Sequence, residues 1–249
     1  ALSYFLSPFN RAVIITLDGV GEHETLGVYL GEGTKIEKKV SMKMPNSLGL
    51  LYSFFTGFCG FEINEGEYKL MGLAAFGEPT FEDRMARWVD LNLTDPRCST
   101  EMIQWAVPTD SPYSDTFVGQ FGEPFRRRHD NHTDTRFADI AASVQSLVEK
   151  QLLKLVGAAI AKWDCDAVCL GGGVALNCNA NGRIRRELTP NLFVPPAPGD
   201  AGSALGATLA WWFRRSAASP AAEKPTIPFT PYLGSQLDEA TFASDFSLY

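Results

Sequence analysis

Two aspartates and one run of three glycines are the residues of this 249-residue chain best suited to chemistry. The glycines, Gly171, Gly172 and Gly173, lie in the stretch Asp166–Arg185, DAVCLGGGVALNCNANGRIR. An apolar run, Ala167–Leu170, precedes them and has the length of a buried strand. The proline-free segment Val174–Leu188 follows, with helix-compatible residues. A strand, a glycine turn and a helix N-terminus together suit an anion. Without Cβ atoms a phosphate approaches the backbone, and the free N–H groups and helix dipole point at it. The same turn also serves plain strand–helix packing. A dinucleotide fingerprint fits poorly, since G-x-G-x-x-G requires glycine where the chain has Leu176. Asn177, about one turn into the predicted helix, serves either as a cap or as an amide reaching a ligand. If Gly172 has a negative φ, Gly172→Ala leaves the fold intact and isolates the phosphate contact.

Asp18 closes a second apolar run, Ala12–Leu17, and is followed by Gly19 and Gly21. It acts either as a turn residue bonding its own backbone or as a carboxylate ligand at the carboxyl edge of a sheet. Asp200 follows Gly199 and sits at the N-cap position of a predicted helix, Ala201–Arg214. Lys69, in EYKLMGLAA, reads as a solvated residue, with a phosphate contact as the alternative. His129 and His132, in RRRHDNH, lack the i, i+4 spacing of helical metal ligands and read as a polar loop. Arg126–Arg128 beside them is a short basic cluster able to attract an anion.

The elements that must position these groups follow from the pattern. Leu2–Phe9 reads as the end of a helix stopped near Pro8. Ala12–Leu17, Thr25–Leu30 and Lys35–Met42 predict a three-strand meander joined at glycine turns. Asn46 or Ser47 caps a helix running to about Phe58, whose aromatics read as core. Glu67–Ala75 is a short helix ending at Gly77 and Pro79. Thr80–Arg136 has no sustained period and reads as an inserted, partly helical, loop-rich region of the kind that shapes an acceptor pocket. Phe137–Ile160 carries one apolar stripe, Ile140, Val144, Leu147, Val148, Leu152 and Leu155. Asn191–Val194 is a short strand cut off by prolines, and the small residues of Ala201–Arg214 suit close packing on a sheet. The result is β-β-β-α-β-α-β-α, an α/β layout. It places Asp18–Gly21, Gly171–Gly173 and Gly199–Asp200 at carboxyl ends of strands, on one edge.

A hydrophobic content of 45% and a charged content of 20% fit an ordinary globular protein. The net charge of −7 argues against a non-specific binder of nucleic acid or membrane surfaces. No apolar run is long enough to span a bilayer and no signal peptide is evident. Five cysteines without C-x-x-C spacing read as free thiols in a reducing compartment, the cytoplasm. The chain opens at Ala1 rather than methionine and closes on a proline-rich, then polar, stretch, as expected of a piece of a longer polypeptide.

LDGVGE, GGGVALNCNANGRI and PPAPGDAGSALGA resemble motifs of the actin-like ATPase (ribonuclease H-like) superfamily. SPFNRAVIITLDGVGE, EYKLMGLAAFG, FADIAASVQ and PYLGS narrow the resemblance to the O-carbamoyltransferases of nodulation-factor and antibiotic biosynthesis. It covers nearly all of the chain outside Thr80–Arg136. The resemblance implies the second half of a large domain similar to the tRNA threonylcarbamoyl-adenosine synthase, over residues 1–218. Residues 219–249 would then link to a missing domain that makes carbamoyl-adenylate from carbamoyl phosphate and ATP. The large domain would pass the carbamoyl group to a hydroxyl of a sugar or other small acceptor. It further implies iron, or another divalent metal, held by Asp18, Asp200 and a histidine pair lying just before Ala1. The adenylate would rest on Gly19, Gly21, Gly171, Gly172, Gly173 and Asn177. A kinase of the same fold and a nucleotide-binding module without catalysis are the alternatives. A histidine pair upstream of Ala1 would favour the enzyme.

Overall fold

A computed structural model describes residues 1–99, 112–125 and 134–216, together with Lys224 and Ile227. His129, His132 and Arg126–Arg128 lie outside the described residues. The architecture is mixed α/β, built on a five-stranded sheet in which the third, second and first strands of the chain are followed by the sixth and seventh.

The three-strand meander forms as the sequence predicts: β1 (Arg11–Leu17), β2 (Glu24–Glu32) and β3 (Lys35–Lys43), antiparallel throughout. The run Ala12–Ile15 in β1 is buried at every position, as a central strand covered on both faces requires. β6 (Val168–Gly171) lies parallel to β1 with Thr16 opposite Gly171, and β7 (Leu192–Phe193) lies parallel to β6. That register brings the residues after β1 and after β6 out at the same edge.

Two helix layers cover the sheet. α6 (Arg136–Trp163) buries the predicted stripe, with Ile140, Val144 and Leu155 fully inaccessible, and packs on β1. Asp164 ends it in the left-handed region (φ 45°), and the Arg11 guanidinium donates to the carbonyls of Trp163 and Asp164. On the other face lie a one-turn helix, α1 (Leu2–Phe5), and α8 (Ser203–Ser216), which pack on each other. The helix predicted over Leu2–Phe9 thus stops at Phe5, where Ser7 Oγ donates to the Tyr4 carbonyl and turns the chain before Pro8. Gly206 of α8, and Gly202 just before it, face α1 rather than a strand. A Cβ on Gly202 would lie 2.4 Å from Leu2 Cδ2, and one on Gly206 would lie 3.3 Å from Leu2 Cβ.

α2 (Leu48–Phe58) is capped by Ser47, whose Oγ accepts the Leu50 N–H at 3.0 Å. α3 (Glu67–Leu73) continues into a 3-10 turn at Ala74–Phe76. The inserted region contains α4 (Glu82–Ala86), the two-residue strands β4 (Val89–Asp90) and β5 (Arg97–Cys98), and α5 (Asp115–Phe121). Its described aromatics belong to the core or pack against it. Phe117 and Phe121 of α5, with Trp88 and Tyr113, pack by edge and face contacts on Phe54, Phe55 and Phe58 of α2.

All five cysteines are free, four of them buried and Cys178 exposed. Burial pushes the thiols of Cys59, Cys98 and Cys169 up to about 12. No helix among the described residues is long and apolar enough to cross a membrane. Lys224, far along the chain, is buried against α1. Its ammonium donates to the carbonyls of Tyr4 and Ser7 and sits 5.1 Å from the centre of the Tyr4 ring, while its N–H donates to Asn10 Oδ1.

Candidate functional site

The carboxyl edge of β1, β6 and β7 gathers most of the predicted residues. Asp18 leaves β1 with its N–H bonded to the Thr25 carbonyl (3.0 Å), and its Oδ1 accepts the Gly19 N–H at 2.8 Å. This is the local bond of a turn aspartate, and it leaves Oδ2 without a partner among the described residues. Helix α2 seats on this loop. Ser47 Oγ donates to the Gly19 carbonyl at 2.6 Å, and a Cβ on Gly49 would lie 2.6 Å from the Gly19 nitrogen. Gly21 is required by the hairpin, since a Cβ there would meet the Glu24 carbonyl oxygen at 2.4 Å. A Cβ on Gly19 would meet only Leu50, at 3.8 Å.

At the glycine turn each residue has its own task. Gly171 ends the strand. Gly172 has φ +85°, and a Cβ there would lie 2.0 Å from the Leu17 carbonyl oxygen. Its N–H donates to the Pro198 carbonyl at 2.7 Å, so that donor is already committed. The negative φ assumed for a benign Gly172→Ala is therefore wrong, and this glycine is a packing requirement. Gly173 opens a 3-10 turn to Leu176, and the first N–H groups of that turn, those of Gly173 and Val174, have no helical acceptor. A Cβ on Gly173 would stand 3.2 Å from Asp18 Oδ1, and one on Gly199 would stand 3.7 Å from Gly173 Cα. Asp18, Gly173 and the Gly199–Asp200 loop are thus immediate neighbours, although they come from three separate parts of the chain.

Asp200 does not cap a helix. It begins a 3-10 turn, Asp200–Gly202, with no side-chain cap bond, because α8 starts only at Ser203. Its carboxylate is exposed and has no hydrogen bond or ion pair among the described residues. Asn177 stands apart from the edge. The predicted helix Val174–Leu188 is broken there, and Asn177 caps α7 (Cys178–Glu187) by accepting the Ala180 N–H at 3.1 Å. Its amide pairs reciprocally with Gln145 of α6, at 2.9 and 3.0 Å.

A cavity of about 300 Å³ opens beside the turn, lined by Ser3, Thr16, Gly171, Gly172, Gly199 and Ser203 among others. Sequence reasoning passed over Ser3, Thr16 and Ser203. These residues line the cavity only through the packing of α1, β1 and α8, which leaves no local signature, and the Thr16 hydroxyl itself donates to the Gly27 carbonyl. A larger groove of about 1230 Å³ crosses the sheet face under β2 and β3, past Tyr29, Lys35 and Lys38. It touches the smaller cavity at Ala1, Thr16 and Ala210 but holds none of the glycine-turn residues.

Asp18 beside Gly173, and Asp200 following Gly199, supply hard oxygen donors. They form part of a metal set rather than a whole one, since no group of three or more His, Cys, Asp or Glu able to hold an ion occurs among the described residues.

Residues 1–209 match the family model described as Carbamoyltransferase N-terminus. An uncharacterised protein of Synechocystis is 40% identical over 237 residues, covering 94% of this chain and 38% of its own length. Nodulation protein NolO of Bradyrhizobium diazoefficiens is 30% identical over 237 residues, covering 94% of this chain and 41% of its own length. Nodulation protein NolNO of Sinorhizobium fredii is 29% identical over 235 residues, covering 94% and 33%. The chain spans 33–41% of the length of these relatives. With the family model matched over 209 of 249 residues, this chain belongs to the carbamoyltransferase N-terminus family.

Proposed function

We propose that this chain supplies one wall of the active-site cleft of a carbamoyltransferase, which moves a carbamoyl group from carbamoyl-adenylate to a hydroxyl of a small or sugar acceptor. The observation that carries this reading is the meeting of Asp18, Gly173 and Gly199–Asp200 at one strand edge in a chain of this family. Gly173, free of a side chain, lets the adenylate phosphate come against the backbone, where the unpaired N–H groups of Gly173 and Val174 receive it. The Asp18 carboxylate lies beside that position, and two anions so close repel unless a cation lies between them. Asp18 and Asp200 would hold that cation, iron or another divalent metal, together with histidines outside this chain. When bound, it supplies Lewis-acid stabilisation of charge on the carbamoyl-adenylate. Ser3 and Ser203 line the adjoining cavity, and their hydroxyls would orient groups on the bound adenylate. In this reading residues 1–218 are the second half of an actin-like large domain. Residues 219–249 lead from the Lys224 anchor toward the domain that makes carbamoyl-adenylate from carbamoyl phosphate and ATP.

The test uses the complete protein encoded by the full reading frame. Asp18→Ala and Asp200→Ala should each lose iron and carbamoyl transfer while keeping the melting temperature within a few degrees. Full metal occupancy in either variant removes that residue from the ligand set.

A further inference from the structure

We propose that Gln145 is a positioning residue that sets the glycine turn against the Asp18 loop. The functional part of this proposal rests on the nucleotide reading above; the mechanical part does not. Gln145 is buried in α6 and uses its whole hydrogen-bonding capacity on three other side chains. Oε1 accepts the Tyr52 hydroxyl at 3.0 Å and Asn177 Nδ2 at 2.9 Å. Nε2 donates to Asn177 Oδ1 at 3.0 Å and to Glu149 Oε1 at 2.6 Å.

Each partner leads to one side of the site. Tyr52 belongs to α2, whose first turn carries Ser47 and Gly49 against Asp18 and Gly19. Asn177 is the joint between the 3-10 turn Gly173–Leu176 and α7, and the same Oδ1 that meets Gln145 also caps α7. The one amide therefore clasps two helices, α2 seated on the Asp18 loop and α7 joined through the 3-10 turn to Gly173. Glu149 steadies it from below and is itself held by Arg183 of α7 at 3.1 Å. A leucine in place of Gln145 keeps volume but leaves the Asn177 amide without its partner. The joint then loses the bond that fixes its side chain, although the sheet keeps all of its own.

Hydrogen exchange on the full chain reads this directly. In Gln145→Leu the amides of Asn177 and Ala180 should exchange about tenfold faster or more, while those of Ile14 and Val28 in the sheet stay at wild-type rates. Gln145→Glu keeps the acceptor for Tyr52 and Asn177 but loses both donors and sets a second carboxylate against Glu149, and should also exchange faster than wild type at these two amides. Wild-type exchange at Asn177 and Ala180 in folded Gln145→Leu overturns the proposal, as does uniform acceleration that includes the sheet. If Gln145→Leu fails to fold, Gln145→Glu decides by the same readout. Titration with AMP separates the two levels. A wild type that binds AMP should bind about tenfold more weakly as Gln145→Leu, and equal affinity overturns the functional part. A wild type that binds no AMP defeats the nucleotide reading and leaves the exchange rates to judge the clasp.

Discussion

Gly172 and Gly173 are adjacent and identical in type, yet the structure asks opposite things of them. Gly172 holds φ at +85° and ψ at 168°, a region essentially restricted to glycine, and its missing Cβ makes room for the Leu17 carbonyl. Gly173 has no left-handed φ, and the space a methyl would fill lies against the Asp18 carboxylate. Gly172→Ala should therefore cost about 3 kcal/mol or more, from backbone strain and overpacking together. Gly173→Ala should stay within about 1 kcal/mol of wild type but weaken AMP binding about tenfold. Chemical denaturation and calorimetry on the pair check both halves, and a wild-type stability for Gly172→Ala would refute the packing account. The sequence announces three glycines in a turn, but the sign of φ at each depends on β1 running alongside, and no local pattern carries that. The turn role of Asp18 was legible from the glycine after it. The second role, as a neighbour of Gly173 and Gly199, needs the parallel register of Thr16 with Gly171.

Among the elements, α2 couples helix stability to the site through one hydroxyl. Ser47 Oγ accepts from Leu50 N–H and donates to the Gly19 carbonyl, so Ser47→Ala removes a cap and a tether together. The expected loss is about 1–2 kcal/mol, read from the shift in denaturant midpoint. An unchanged midpoint would mean that water replaces both bonds. The cap itself was readable, because serine before an apolar-periodic run is a local signal, and so were the meander and the long stripe of α6. The break at Asn177 was not. Asn177 can start a helix as readily as sit inside one, and the side chain that caps α7 there is held by the amide pair with Gln145, 32 positions away. The inserted region hid its core for a similar reason. Phe117, Phe121 and Trp88 sit on pieces too short to show a period, and their burial is decided by α2.

On the scale of the whole molecule, the strand sequence was legible while the helix layers were not, because the small residues of α8 were as suited to a strand as to α1. The contact that closes the molecule came from outside any motif. Lys224 donates to the carbonyls at the end of α1, satisfying acceptors that a one-turn helix leaves open. Lys224→Met should thus destabilise the full chain by about 1–3 kcal/mol at neutral pH. Burial holds the ammonium below the ordinary lysine range. A lysine lowered in the folded state carries its full desolvation cost below the folded pKa. That cost lifts as pH rises from there toward the unfolded value of about 10.4. The melting-temperature advantage of wild type over Lys224→Met should therefore widen across that window, and a constant difference would contradict it. The same contact orders events at the ribosome. Residues 4–7 leave the ribosome before their capping group, which is translated more than two hundred residues later, roughly 10–40 s at 5–20 residues per second. Until then the α1 wall of the cavity lacks its anchor, so a nascent chain presents the strands before it presents a finished pocket. Ligand binding then reports on translation past residue 224 as well as on folding.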